Sequence, residues 1–99
     1  MVKLIMTWSI RSGKETQYLE FLMRDFTRAL MSMGVQPTDA WYAVWGKGPQ
    51  VLAGGAAEDL ETMEKALASD EWKELQSKLE GLVEGFSCKV VEAKGGFQL

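Results

Sequence analysis

Histidine and asparagine are absent from the 99-residue chain, and cysteine occurs once, as Cys88. Without histidine the chain cannot build a histidine-ligated haem, a zinc site of the usual Cys/His kind or a Ser-His-Asp triad. A single cysteine excludes an internal disulfide, and we expect Cys88 to be a small core residue. Acidic pairs such as Glu58-Asp59 fall at predicted helix starts, where the helix dipole favours them without a metal. We therefore expect neither a metal nor a cofactor.

Long apolar runs and basic clusters are missing as well. No stretch approaches the ~18 apolar residues of a membrane-spanning helix, and the start of the chain lacks the cleavage pattern of a signal peptide. The net charge is −3, with Lys and Arg dispersed among acids, so there is no basic stripe of the kind that binds nucleic acid. We expect one cytoplasmic domain over 1–99, with a C-terminal tail at 95–99 and no nucleic-acid or membrane partner.

Hydrophobic periodicity predicts a strand followed by a long helix. Apolar residues alternate over 2–11, as they do in a strand. Ser12 and Glu15 fit a capping box, which predicts that the helix begins at Ser12. Gly34 is placed to end this helix as its C′ residue, and Pro37 prevents its resumption. The predicted buried stripe of the helix comprises Leu19, Leu22, Met23, Phe26, Ala29, Leu30 and Met33, while Tyr18 and Phe21 beside it either widen the buried face or contact a partner.

The rest of the chain predicts two strands, two helices and a final strand. The strands at 40–47 and 50–57 meet at Gly48-Pro49, which suits a two-residue type II′ turn. Asp59 is placed to cap a short helix, and Ser69 or Asp70 to start the next one. In the short helix we expect Leu60, Met63 and Leu67 to face inward. The next helix is predicted to end at Gly85 and to be followed by a strand over 86–94. Its predicted buried stripe comprises Trp72, Leu75, Leu79, Leu82 and Val83.

This order of elements, β-α-β-β-α-α-β, predicts an α+β fold of the ferredoxin-like kind. Short connections and right-handed crossovers give an antiparallel sheet in the order 4-1-3-2, with the helices on one face. The sequence also places apolar residues on the second face, because Tyr42 lies on the side opposite Trp41 and Trp45, and Ile5 lies opposite the main apolar side of the first strand. This pattern predicts a homodimer formed through the sheet face. Scattered apolar residues tolerated on a surface are the alternative.

The whole pattern resembles the dimeric α+β barrel superfamily, in particular the antibiotic-biosynthesis-monooxygenase-like and NIPSNAP-like proteins. The resemblance covers 2–94 and rests on the strand-helix opening, the WYAVW strand at 41–45 and the segment DLETMEKALASDEWKELQSKLEGLV at 59–83. It implies two ferredoxin-like sheets paired into a barrel. The resembling monooxygenases use no cofactor, and their sites typically contain an Asn and a Trp, joined by a His in haem-degrading relatives. Only the Trp has a counterpart in this chain.

The predicted hairpin leaves two interpretations of its aromatic residues open. A two-residue turn sets Lys47 opposite Gln50, and the register then places Trp45 opposite Leu52, Ala43 opposite Gly54, Tyr42 opposite Gly55 and Trp41 opposite Ala56. Large rings beside small residues either cover exposed backbone or form the wall of a cavity for an apolar small molecule. The candidate pocket comprises Trp8, Trp41, Tyr42, Trp45, Gly54 and Gly55.

Three classes of function remain open: a small-molecule-binding protein, a cofactor-independent monooxygenase or isomerase acting on an aromatic or polyketide-like substrate, and a structural dimer without a ligand. An enzyme would use Glu20 or Asp25 as a base and Arg11, Arg24 or Arg28 to stabilise an enolate, although each is more typical of a solvated charge. No catalytic residue is assigned. A phosphate loop at 46–48 is disfavoured, because Trp41 stands where the motif needs glycine and Gly48 where it needs a hydroxyl.

Overall fold

The computed structural model describes residues 1–43, 46 and 48–92. Its strands are β1 (Val2–Ile10), β2 (Gln36–Tyr42), β3 (Val51–Ala57) and β4 (Val83–Glu92). Its helices are α1 (Glu15–Phe21), which continues through a π-helical turn (Leu22–Phe26) into α2 (Thr27–Ser32), and then α3 (Leu60–Ala68) and α4 (Asp70–Glu80). Each helix in the described part of the chain is too short or too polar to span a bilayer. The tail predicted at 95–99 lies outside the described residues.

The four strands form one antiparallel sheet in the order β2-β3-β1-β4, which confirms the predicted ferredoxin-like fold. We call the sheet face that carries the helices the inner face and the opposite one the outer face. Side chains of β1 alternate between buried and half-buried, as the pleat of a strand requires. The fully buried core includes Leu4, Met6, Trp8, Val35, Met63, Leu79 and Val83.

The first helix begins two residues later than the capping box predicts. Its N-cap is Lys14, which makes no side-chain capping bond, so the prediction of an N-cap at Ser12 was wrong. Gly13 has a φ of +84°, a left-handed conformation that a right-handed helix cannot contain. The chain therefore makes a turn first, in which the Lys14 N–H donates to the Arg11 carbonyl at 3.0 Å.

The π-helical turn changes which residues of the first helix face the core. A π turn closes over five residues instead of four, so Phe21 and Phe26 both point inward, with their ring centroids 6.0 Å apart. Upstream of the turn the buried side chains are Tyr18 and Phe21, whereas Leu19 and Met23 are exposed. The predicted stripe was therefore wrong at Leu19 and Met23. It failed because regular α-helical spacing was assumed across the turn.

The helix ends were predicted more successfully than the first helix start. Gly34 has a φ of +89°, and Val35 N–H donates to the Leu30 carbonyl at 2.9 Å, which together form the expected C′ glycine motif. Asp59 caps α3 by accepting from the Thr62 N–H at 2.8 Å. Ser69 caps α4 in the same way, accepting from the Trp72 N–H at 3.1 Å.

Three expectations for the second half of the chain were wrong. Leu60 is half exposed instead of inward-facing, since it is the first residue of α3. Cys88 is exposed instead of in the core, because it lies on an edge strand. Helix α4 ends at Glu80, and Gly85 lies within β4. Gly85 and Phe86 form a β-bulge there: both lie opposite Trp8, between the pairs Thr7–Ser87 and Ser9–Glu84. The φ of +69° at Gly85 is compatible with a bulge.

The predicted β2–β3 register was also wrong. Strand β2 begins at Gln36, Trp41 pairs with Leu52, and Tyr42 pairs with Val51. The Ala43 N–H donates to the Gln50 carbonyl at 2.7 Å, so Ala43 stands where Lys47 was expected, and the two strands are not joined by a two-residue turn at Gly48-Pro49. The pairings expected for Trp45 and Lys47 lie outside the described residues. A slip of four residues preserves the face of each side chain, which is why alternation alone could not exclude it.

Candidate ligand-binding site

A cavity of about 200 Å³ lies between the inner face of the sheet and the first helix. We call it the inner cavity. Strands β1 and β3 supply its floor, the π-helical turn and α2 its roof, and β2 its open side. Its walls are apolar apart from a few hydroxyl groups. The lining residues include Met6, Trp8, Tyr18, Phe26, Thr27 and Val51.

A second cavity of about 390 Å³ opens beside it, between α1 and the far end of β2. We call it the outer cavity, although, like the inner cavity, it lies between the sheet and the first helix. Tyr18, Leu22, Ala40 and Val51 line both cavities, so the two adjoin, and we refer to them together as the cleft. Ligand pockets in proteins usually measure about 300–1,000 Å³. The cleft as a whole falls in that range, whereas the inner cavity alone does not.

A hydrogen bond between a tryptophan and a tyrosine forms part of the cavity wall. Trp8 Nε1 on β1 donates to Tyr18 Oη on α1 at 3.0 Å, and the two rings meet edge to face with centroids 6.3 Å apart. Trp8 is also held by Phe26, edge to face at 6.0 Å, and by Phe86, stacked at 6.1 Å. Contacts on three sides fix the position of the indole, and the indole in turn fixes the tyrosine hydroxyl.

As far as the structure describes the chain, the cleft has few polar groups and no lining Lys or Arg. Among the residues that the structure describes, no charged side chain is buried. Asp39 belongs to the lining of the inner cavity, but its carboxylate lies over Gly54 on the outer face, 3.7 Å from Lys3 Nζ. Glu15 lines the outer cavity. Burial raises the pKa of the Tyr18 phenol above its ordinary value, although the hydrogen bond from Trp8 opposes the shift. The phenol is therefore neutral at physiological pH and keeps its proton.

The six residues predicted for the pocket do not form one group. Trp8 and Gly54 line the inner cavity. Trp41 and Tyr42 line the outer cavity. Trp41 pairs with Leu52, and paired residues lie on the same face of a sheet, so the Trp41 side chain starts from the outer face. Gly55 lines neither cavity, and Trp45 lies outside the described residues.

The two glycines of β3 accommodate packing on opposite faces of the sheet. Thr38 and Asp39 form a bulge in β2 opposite Gly54. A methyl group added at Gly54 would lie 2.7 Å from Asp39 Oδ1 and 2.8 Å from Thr38 Oγ1. A methyl group at Gly55 would lie 2.7 Å from Val35 Cγ1. Space left by these glycines is thus occupied by the chain's own atoms, and the cleft owes its volume to the separation between β2 and the first helix.

Sequence reasoning missed the residues of the first helix that contribute most to the cleft. Tyr18 and Leu22 line both cavities, and Thr27 lines the inner one. Tyr18 was expected either to widen the buried face of the helix or to contact a partner, and the first alternative is confirmed by its 3% exposure. The spacing of Tyr18 and Leu22, four residues apart, was a usable signal, because such residues share one helix face.

The residues considered for an enzyme lie elsewhere. None of Glu20, Asp25, Arg11, Arg24 and Arg28 lines either cavity. Asp25 and Arg28 line a groove between the first helix and α4. Arg11 donates to the Glu80 carbonyl from Nη2 at 3.1 Å, and lies 3.8 Å from Glu84.

The fold recurs in solved structures of bacterial and plant proteins. An antibiotic biosynthesis monooxygenase-like protein from Deinococcus radiodurans is 18% identical, with a TM-score of 0.77 over 100% of this chain and 98% of that chain. A protein from Arabidopsis thaliana is 13% identical, with a TM-score of 0.80 over 99% and 100%. An uncharacterised NIPSNAP domain protein from Burkholderia xenovorans is 15% identical, with a TM-score of 0.71 over 99% of both chains.

No protein-family model matches the chain, and no curated protein is significantly similar to it in sequence. At identities this low, the structural likeness defines the fold alone. The chain therefore has the α+β fold shared by NIPSNAP and antibiotic-biosynthesis-monooxygenase-like proteins, as its sequence resemblance predicts.

Proposed function

We propose that this protein binds a small, largely apolar molecule in the cleft between the sheet and the first helix. The observation that carries the proposal is the open space itself, bounded by aromatic and aliphatic side chains on rigid elements. An engineered apolar cavity of about 150 Å³ is enough to bind benzene. The inner cavity, at about 200 Å³, can hold one or two fused rings, and the outer cavity can hold a substituent.

Binding is favoured over catalysis because the cleft lacks the groups that the enzyme hypothesis requires. Deprotonation of a substrate needs a base within hydrogen-bond reach, usually with a pKa raised by burial. The described residues include no buried carboxylate, and Asp39 is held beside Lys3. A purely structural dimer is disfavoured in turn, because a purely structural core would leave no open space between β2 and the first helix, where the cleft lies.

The proposal includes a homodimer formed through the outer face. Apolar side chains cross this face diagonally, from Trp41 through Leu52 and Ile5 to Val91, as the strand pairings place them. Trp41 is 68% exposed and Leu52 41%. A second copy related by two-fold symmetry would cover this stripe with an identical one. The contact would use Trp41 from the lining of the outer cavity, whereas Tyr18, Leu22 and Val51 lie on the helix side of the sheet, away from it.

The binding proposal is tested by titrating the protein with 2-acetylnaphthalene and following amide chemical shifts by NMR. We expect saturable shifts around Tyr18 and Val51. An Ala40→Trp variant places a large ring at an exposed position that lines both cavities, so it should abolish those shifts. The matched control is Ala68→Trp, at the exposed end of α3, which should leave them unchanged. Absence of saturable shifts, or equal binding by both variants, would contradict the proposal.

A further inference from the structure

Tyr18 Oη is the one hydroxyl that the structure fixes at the wall shared by the two cavities, and its bonding is incomplete. The indole Nε1–H can only donate, so in the bond with Trp8 the tyrosine oxygen must be the acceptor. The phenol O–H therefore remains available as a donor. Among the described residues no acceptor for it lies within hydrogen-bond distance.

Position and charge state both make this hydroxyl a suitable anchor. Tyr18 contributes to the walls of both cavities and is 3% exposed, so a bond made there is shielded from bulk water. The Trp8 bond limits rotation of the phenol and leaves its proton directed away from the indole. Hydrogen bonds formed in such low-dielectric surroundings are stronger than in water.

The charges around the cleft indicate what kind of acceptor it takes. Within the described part of the chain the lining has no Lys or Arg, and Glu15 lines the outer cavity. The Asp39 carboxylate lies on the outer face of the sheet, beside Lys3. An anionic ligand would meet repulsion and no counter-charge. A neutral acceptor, such as a ketone or quinone oxygen, fits both the donor and the charge.

We propose that Tyr18 is the specificity-determining residue of the cleft, donating its hydroxyl proton to the carbonyl oxygen of a neutral aromatic ketone. The inference rests on the proposed function, since it requires that the cleft binds a ligand. It adds the chemical class of that ligand and the atom that recognises it.

Three naphthalene probes of similar shape test the inference by calorimetry: 2-acetylnaphthalene, its isostere 2-isopropenylnaphthalene, which lacks the oxygen, and 2-naphthoate, which is anionic. A hydrogen bond of ordinary net strength should make the ketone bind about two- to tenfold more tightly than the alkene. The naphthoate should bind more weakly than the ketone. In Tyr18→Phe the preference for ketone over alkene should disappear, whereas the control Ser32→Ala, which removes an exposed hydroxyl outside both cavities, should keep it.

A spectroscopic measurement separates a bond to the ligand from a general effect on folding. The carbonyl ¹³C resonance of labelled 2-acetylnaphthalene moves downfield when the oxygen accepts a hydrogen bond. We expect this shift with the wild-type protein and with Ser32→Ala, but not with Tyr18→Phe. Equal affinities of ketone and alkene for the wild type would overturn the inference and leave the proposed function intact. Failure of all three probes to bind would overturn the proposed function and the inference together.

Discussion

Trp8 on the first strand and Tyr18 on the first helix are joined by a buried hydrogen bond of 3.0 Å, with the indole donating and the phenol accepting. This bond ties the inner face of the sheet to the helix at the place where the cleft begins. It also determines the chemistry of the cleft, because the hydroxyl accepts with one of its two lone pairs and keeps its proton available for donation.

The raised pKa of Tyr18 predicts a specific dependence of stability on pH. Since the unfolded chain loses the phenol proton first, ionisation above the ordinary value of 10.0 favours unfolding. The stabilisation is fully present below that value and is lost as the pH rises through the folded pKa. The free energy of unfolding of the wild type should therefore fall relative to that of Tyr18→Phe as the pH passes 10.0, measured by urea denaturation. Parallel pH profiles for the two proteins would contradict the assignment.

Substitutions at two serines test where the first helix and α4 are capped. Ser69→Ala removes the oxygen that accepts from the Trp72 N–H, and loss of such a cap should lower the free energy of unfolding by about 1 kcal/mol. Ser12→Ala is the matched control, because Ser12 was the N-cap expected from sequence whereas the helix is capped at Lys14 without a side-chain bond. Its effect should stay within about 0.5 kcal/mol. An equal loss in the two variants, measured by chemical denaturation, would restore the capping box at Ser12.

The glycines of β3 should respond unequally to a methyl group. Gly55→Ala forces the new Cβ against Val35, a short side chain with 1% exposure, and such overpacking should cost about 1–3 kcal/mol. Gly54→Ala meets Asp39, Thr38 and Lys3, side chains that can move toward solvent, so its cost should be smaller. Thermal denaturation of the two variants compares them directly. A larger loss at Gly54 would mean that the strand register described above is incorrect.

The outer-face dimer is tested by placing a charge at its centre. Leu52→Glu should weaken the dimer about a hundredfold or more, because it would bury an unpaired carboxylate in the interface. Met23→Glu is the control, since Met23 is 77% exposed on the first helix, away from that face. Analytical ultracentrifugation over a range of concentrations gives both dissociation constants. A wild-type monomer at micromolar concentration, or equal effects of the two substitutions, would contradict the dimer.

The fold could be predicted because its signals are local and repeated. Alternation in β1, Gly34 after the first helix and the caps at Asp59 and Ser69 each specify one element, and the order of the elements leaves one economical topology. The site could not be predicted to the same depth. Its position depends on the π-helical turn, which moves Tyr18 inward and Leu19 outward, and no residue in 22–26 marks such a turn in the sequence.

The β2–β3 register could not be predicted from the sequence either. Gly48-Pro49 suits a tight turn, and the alternation of Trp41 and Tyr42 is satisfied equally by registers two or four residues apart. What selects the observed pairing is tertiary: Val35 packs against Gly55, and the bulge at Thr38 and Asp39 covers Gly54. Contacts between residues this far apart in the chain leave no periodic signal.

The most direct test of the account is to locate a bound aromatic ketone by intermolecular nuclear Overhauser contacts between 2-acetylnaphthalene and the protein. The ketone should contact Tyr18, Leu22 and Val51, three of the residues that line both cavities. Contacts confined to Leu52 and Ile5 would place the ligand on the outer face of the sheet and contradict a binding site in the cleft.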